Sequence, residues 1–226
     1  LEKSVAFYTQ VIGFQLAGME SGCAWLHTGD VSEAFLVLEE DPQAEPKPIR
    51  STGLYHVAIL LPDRRDLSHL LRRLKGAGWP LSGTADHGVS QAVYLSDPDG
   101  NGLEFAWDYP PEAWPTAGQE VAMTTEALSI QALLLPTQGQ PLEPLLPKAT
   151  CIGHLHLHVS DLENAFAFYE KTLGLKIRQS TFPGALFLAF GGYHHHLGLN
   201  TWAGILPPPE HACGLISWTV ETPPAS

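Results

Sequence analysis

Leu162-Glu-Asn-Ala-Phe-Ala-Phe-Tyr-Glu-Lys-Thr-Leu-Gly-Leu175 repeats Leu1-Glu-Lys-Ser-Val-Ala-Phe-Tyr-Thr-Gln-Val-Ile-Gly-Phe14 without a gap, identical at six of fourteen positions. Repetition of this kind marks one supersecondary unit used more than once. In the later copy Leu162, Ala165, Phe166, Tyr169 and Leu173 recur at helical spacing, Asp161 suits an N-cap and Gly174 a stop, which predicts a helix with one apolar face. Ahead of it, Gly153-His-Leu-His-Leu-His-Val-Ser160 alternates as a strand does. The repeat therefore predicts a matching strand ahead of Leu1. Past the helix, Cys23 to Thr28, Gly29-Asp30 and Ala34-Phe-Leu-Val-Leu38 parallel Ala185 to Phe190, Gly191-Gly192 and His196-Leu-Gly-Leu-Asn200. Each set reads as a hairpin, so the unit runs strand, helix, strands.

A more diverged copy lies between these two. Gly53-Leu-Tyr-His-Val-Ala-Ile-Leu-Leu-Pro-Asp63 is its opening strand, and Leu67, Leu70, Leu71 and Leu74 form a helix face ended by Gly76 and Gly78. Strands follow around Ala92 to Leu95 and Leu103 to Trp107. His56 precedes Asp63 by the same interval as His154 precedes Asp161. A fourth copy is predicted to start with a strand at Gly214-Leu-Ile-Ser-Trp-Thr-Val220. Tyr109 to Lys148 is rich in Pro, Gly and Gln and reads as a connection with one short helix, Thr124 to Leu133. The expected organisation is a first pair of units over 1–108, a linker over 109–150 and a second pair over 151–226.

With 226 residues, 44% of them hydrophobic, the chain can bury a proper core. No apolar run approaches the roughly 20 residues needed to cross a bilayer, and the residues from Leu1 onward do not carry the charged, apolar and small-residue pattern of a signal peptide. A net charge of −12, from 24 acidic and 12 basic residues, argues against nucleic acid or an anionic membrane as partner. Cys23, Cys151 and Cys213 lie far apart, which indicates neither a disulfide framework nor a zinc knuckle and makes a reducing, cytoplasmic home the default.

Chemistry is expected where an apolar strand is interrupted by a side chain able to bind metal. His56 interrupts one strand, sharing a face with Ala58 and Leu60, and Glu104 interrupts another. Asp97-Pro-Asp-Gly-Asn-Gly102 is a turn that delivers Glu104 onto its strand. A single buried histidine is well explained by a local hydrogen bond. A carboxylate in the same pattern is harder to explain without a counter-charge, because burying it unpaired is costly. His87, in Asp86-His-Gly-Val-Ser90, reads either as an exposed loop residue or as a proton-transfer group or third ligand. His154, His156 and His158 share one face of the later strand, and His194 and His196 one face of the returning strand. Yet Gly198 stands where Glu104 stands, and Ser217 where His56 stands. His154, His156 and His196 are thus candidates for a second site, against a water-filled polar cavity. Tyr193 and Trp202 read as lid or packing aromatics.

The repeated Leu-Glu-x-x-x-Ala-Phe-Tyr helix ending in Gly, together with Ser96-Asp-Pro-Asp-Gly-Asn-Gly-Leu-Glu104, resembles the vicinal oxygen chelate superfamily of glyoxalases, bleomycin-resistance proteins and extradiol dioxygenases. Tyr55-His-Val-Ala-Ile-Leu-Leu-Pro62 and Gly192-Tyr-His-His-His-Leu-Gly-Leu-Asn-Thr-Trp-Ala-Gly204 resemble its four-module, catechol 2,3-dioxygenase-like subgroup. The resemblance implies an α+β fold in which βαβββ modules pair into curved mixed sheets forming a cup, in two domains. It implies a divalent metal, Fe(II) foremost with Mn(II) or Zn(II) as alternatives, with His56 and Glu104 at the matching ligand positions; His87, read from its own position, is the catalytic proton-transfer candidate beside them. The first unit's equivalent position falls near Leu36, which cannot bind, so the source of the third ligand stays open between the strand ahead of Leu1, His87 and no protein group at all. The implied partners are an aromatic diol and O2, and a homo-oligomer is compatible with the family. A glyoxalase-type isomerase or lyase, or a small-molecule binding protein of the bleomycin-resistance kind, are the competing functions.

Overall fold

The computed structural model describes residues 1–29 and 35–221. The first unit opens with helix α1 (Glu2–Ala6), which widens into a π-helical stretch, Phe7–Ile12. Gly13, at φ 101°, ends it, and the Gly13 and Phe14 N–H groups both donate to Tyr8 O. Strands β1 (Gln15–Glu20), β2 (Cys23–His27) and β3 (Leu36–Glu39) form an antiparallel sheet of their own. The return strand was expected from Ala34, which lies outside the described residues.

The second unit runs β4 (Gly53–Leu60), α2 (Arg64–Gly76), β5 (Gly83–Asp86), β6 (Ser90–Ser96) and β7 (Gly102–Asp108). Asp63 caps α2 in a reciprocal capping box with Asp66, satisfying backbone donors that the first helical turn leaves open. The connecting segment carries three two-residue strands, β8 (Thr116–Ala117), β9 (Glu120–Val121) and β10 (Glu126–Ala127), and helix α3 (Ile130–Leu134). That helix is shorter than the stretch expected from Thr124. Ser129 is its N-cap, accepting from the Ala132 N–H, and Glu126–Ala127 is drawn into pairing with β5 instead. The third unit comprises β11 (Cys151–His158), α4 (Leu162–Leu173), β12 (Lys176–Gln179), β13 (Ala185–Ala189) and β14 (Leu197–Asn200). Its helix is bounded as expected, by Asp161 accepting from the Asn164 N–H and by Gly174 at φ 74°.

Nine strands make one curved mixed sheet in the order β10-β5-β6-β7-β4-β11-β14-β13-β12. Antiparallel pairing of β4 with β11 joins the second unit to the third, edge to edge. The first unit, expected to pair with the second, does not share its sheet: its strands stand in a separate one, and the second unit pairs with the third instead. The predicted strand at Gly214–Val220 is also absent. A strand needs a ladder of partners, and this segment has none: the nearby isolated bridge, Ala212 with Glu45, falls before it.

Alternation along the strands divides core from cup. Ile59, Leu61, Val93, Leu95, Leu103 and Phe105 pack under α2 with the first unit's Phe7, Tyr8 and Ile12. Leu155, Leu188, Leu197 and Leu199 pack under α4. The opposite face, carrying His56, Tyr94, Glu104, His154 and His156, lines the cup. Arg73 fastens the layers: it donates to Ile12 O at 2.7 Å and Glu143 O at 2.6 Å, and burial pushes its guanidinium down to about 10. Among the described residues no helix is long and apolar enough to cross a membrane.

Candidate metal centre

His56 on β4, Glu104 on β7 and His154 on β11 converge at the floor of the cup, all buried. The His56 and His154 Nε2 atoms lie 3.0 and 3.3 Å from the same Glu104 oxygen, Oε2, and 3.4 Å from each other. Ligand atoms about 2.1 Å from a common centre lie roughly 3.0 to 3.4 Å apart for angles near 90 to 109°, so this triangle has the edges of a divalent-cation coordination set. Two imidazoles and one carboxylate is also the donor chemistry suited to non-haem Fe(II), with Mn(II) and Zn(II) compatible. Burial works to raise the Glu104 carboxyl, but His154 and His56 outweigh it and hold the group well below the usual carboxylate range. Burial pushes the His56 imidazole down, against the pull of Glu104. An ionised carboxylate beside an imidazole that favours its neutral form is ready to bind a cation.

Two features of the backbone bring these side chains together. In the β4–β11 ladder His156 pairs with His56 and Leu157 with Leu54, so Tyr55 is an extra, bulged residue. Ile152 pairs with Ile59 and His154 with Ala58, making Gly153 the matching extra residue on the other strand. Each converging histidine is therefore preceded by a bulge, a device that re-aims side chains. Glu104 arrives by the predicted turn: Asp97 Oδ1 accepts from the Asp99 and Asn101 N–H groups, and Tyr8 OH donates to Asp97 Oδ2.

His154, assigned to a second cup by the sequence reading, joins the first cluster, and no contribution from ahead of Leu1 is needed to complete the triangle. His156 lies beside it, but its Nε2 accepts from Asn200 Nδ2 at 3.0 Å. His196 is displaced from the cluster: its Nδ1 accepts from the Phe190 N–H, and its ring lies against Tyr193. The alternation assumed for 194–196 does not apply, because β14 begins only at Leu197. Instead the His195 ring lies against His154, tilted by 43°, with centroids 4.0 Å apart.

His87 reaches the cluster through one intermediary. Its Nδ1 is 2.8 Å from Thr124 O, so that nitrogen carries the hydrogen, and in the neutral ring Nε2 accepts from Tyr94 OH at 2.7 Å. Tyr94 is the cross-strand neighbour of Glu104, and burial, then the Glu104 charge, raise its hydroxyl well above the usual range. A further chain runs from Asp108. Its Oδ2 accepts from Tyr193 OH at 2.7 Å and His194 Nε2 at 3.1 Å, and His194 Nδ1 meets His195 Nδ1 at 2.8 Å. Since a carboxylate only accepts, neutral His194 receives a hydrogen from His195 Nδ1, which leaves the His195 Nε2 lone pair free. Tyr94, Asp108 and His195 escaped the sequence reading. Only the Tyr-His-His-His run hinted at the last.

This chain belongs to the Glyoxalase/Bleomycin resistance protein/Dioxygenase superfamily, whose family model matches residues 1–105 and 151–222. A catechol-2,3-dioxygenase of Bacillus subtilis (strain 168) is 48% identical over 229 residues, covering 99% of this chain and 79% of that protein. Among solved structures, a putative dioxygenase from Bacillus subtilis subsp. subtilis str. 168 superposes with a TM-score of 0.59 at 13% identity, over 88% of this chain and 59% of that one. Glyoxalase I from Zea mays superposes with a TM-score of 0.52 at 20% identity, over 90% and 64%. The chain thus spans less than two thirds of either solved structure, and these two likenesses concern the fold alone.

Proposed function

We propose that this protein is an extradiol ring-cleaving dioxygenase that acts on a catechol-type diol with O2. The observation that carries the reading is the buried triangle of His56 Nε2, His154 Nε2 and Glu104 Oε2. The 48% identity to a protein named catechol-2,3-dioxygenase supports it. His56, His154 and Glu104 would hold a divalent cation, Fe(II) by the chemistry of the donor set. When bound, the cation supplies Lewis acidity and open positions for oxygen ligands.

The remaining roles fall to the chain's own groups. His195, with its Nε2 lone pair free beside His154, takes a proton from a diol hydroxyl, and Asp108 acts through His194 to keep that tautomer. Tyr94 keeps its proton and is oriented by His87, whose own tautomer is set by Thr124 O. His87 is therefore a positioning residue for Tyr94 in this reading. The partly exposed rings of Tyr55 and Trp202 flank the cluster as walls for a flat aromatic substrate. The test is O2 uptake and formation of a ring-opened, coloured product from a panel of catechols by protein purified without oxygen and supplied with Fe(II). Stoichiometric uptake is expected; no uptake with any catechol, despite bound Fe(II), overturns the reading.

A further inference from the structure

The second and third units are related by a near-twofold relation across the β4–β11 seam, and one position breaks it. In the β4–β7 ladder Glu104 pairs with Ala58, two residues beyond His56. In the β11–β14 ladder Gly198 pairs with His156, two residues beyond His154. Carboxylate and alanine in one unit are thus glycine and histidine in the other. The exchange is steric as well as chemical: a β-carbon on Gly198 would lie 2.7 to 2.9 Å from three atoms of the His156 ring. The imidazole lies on the bare glycine, where no side chain can share the space.

The hydrogen bonds around His156 define which of its nitrogens is free. The Trp202 N–H donates to Asn200 Oδ1 at 3.1 Å, and His158 Nδ1 donates to the same oxygen at 2.6 Å. The Asn200 amide is thereby oriented with Nδ2 toward His156, and Nε2 of the ring must accept. The neutral ring therefore carries its hydrogen on Nδ1. That N–H has no acceptor among the described residues and is not fully enclosed, unlike the unpaired His27 Nδ1, Arg73 Nε and Thr150 Oγ1. Tyr55 and Trp202, both more than two-fifths exposed, place their rings 5.2 and 5.8 Å from the imidazole.

We propose that His156, seated on Gly198 and locked by Asn200, is a hydrogen-bond donor for an oxygen of a planar aromatic ligand, and is not a fourth cation ligand. The inference rests on the cation reading of His56, His154 and Glu104 for its second half only. Its lone pair is engaged by Asn200, so ligation would first require that bond to break.

The test uses protein labelled with 15N-histidine, Zn(II) as a diamagnetic probe cation and 4-nitrocatechol as probe ligand. Two-bond 15N–1H correlation spectra report which ring nitrogen carries hydrogen. The expected result is an Nδ1–H pattern for His156 with and without Zn(II), while His56 and His154 change on Zn(II) addition. Adding 4-nitrocatechol shifts His156 Nδ1, and His156→Phe weakens 4-nitrocatechol binding by roughly 3- to 10-fold with Zn(II) affinity, measured by chelator competition, unchanged. A ligated pattern at His156 on Zn(II) addition overturns the proposal. So does a His156 resonance and a 4-nitrocatechol affinity that ignore each other. If Zn(II) fails to bind, the cation reading falls, and the 4-nitrocatechol response of metal-free protein still decides the donor role. Gly198→Ala, whose β-carbon displaces the ring, should weaken 4-nitrocatechol like His156→Phe and serves where that variant does not fold.

Discussion

The carbonyl oxygen of Tyr55 occupies the place that a β-carbon on Gly102 would take, and the β-carbon of His56 lies 3.1 Å from that same point. The bulge that turns His56 into the cup therefore depends on a glycine in the neighbouring strand. Gly102→Ala should push β4 back, at a cost of about 1 to 3 kcal/mol in stability, and should weaken cation binding by moving His56. Chemical denaturation and a cation titration of the same variant check both parts; a variant with unchanged stability and affinity would show that the bulge is not under this constraint.

Because the third corner of the triangle comes from another unit, His154→Gln should weaken cation binding as severely as His56→Gln. Supporting residues beyond a metal's direct ligands cost about 10- to 100-fold when lost, so each of these, and Glu104→Gln, is expected to exceed that. Metal content after dialysis against a weak chelator gives the ranking. Retention of metal by the His154 variant would return the site to two units of the sequence reading.

Gln179 clamps the connecting segment to the third unit: it accepts from the Met123 N–H at 3.2 Å and donates to Met123 O at 3.1 Å, all buried. Gln179→Leu strands both backbone groups, and a loss of about 2 kcal/mol or more follows. Proteolysis and hydrogen exchange should accelerate between Thr116 and Thr124. His87 would lose definition with them, since Thr124 O orients its ring.

His69 on α2 is buried, and its Nδ1 accepts from the Glu143 N–H. Burial, then the Arg72 charge, lower its pKa from the ordinary value. The sign follows: below the ordinary histidine pKa of about 6.5 the unfolded chain takes up a proton that the folded one resists, so stability falls as pH drops. His69→Asn, which keeps an acceptor without titrating, should flatten the loss of stability between about pH 7.5 and 5.5. Denaturation midpoints across that range measure it, and equal slopes for both proteins would remove His69 from the account.

Much of this arrangement was legible before any coordinates. The repeated helix, its Asp161 and Gly174 boundaries, the alternation of His56 with Ala58 and the turn leading to Glu104 are local patterns, written within a few residues of one another, and they recur in the structure. The start of helix α3, at Ile130 behind its Ser129 cap, and the missing strand at Gly214–Val220 were misread because segment ends answer to neighbours, capping side chains and ladder partners, which local pattern does not contain.

By itself the sequence determined the unit, its order of elements and the two chemically unusual positions, His56 and Glu104, since periodicity and burial cost act over a strand or a helix. Only the tertiary structure decided which units share a sheet. Strand edges carry unpaired backbone groups that can be satisfied by any compatible edge, and here β4 chose β11, far along the chain. That single pairing drew His154 to His56 and Glu104, set His195 over it, and left His156 bound to Asn200.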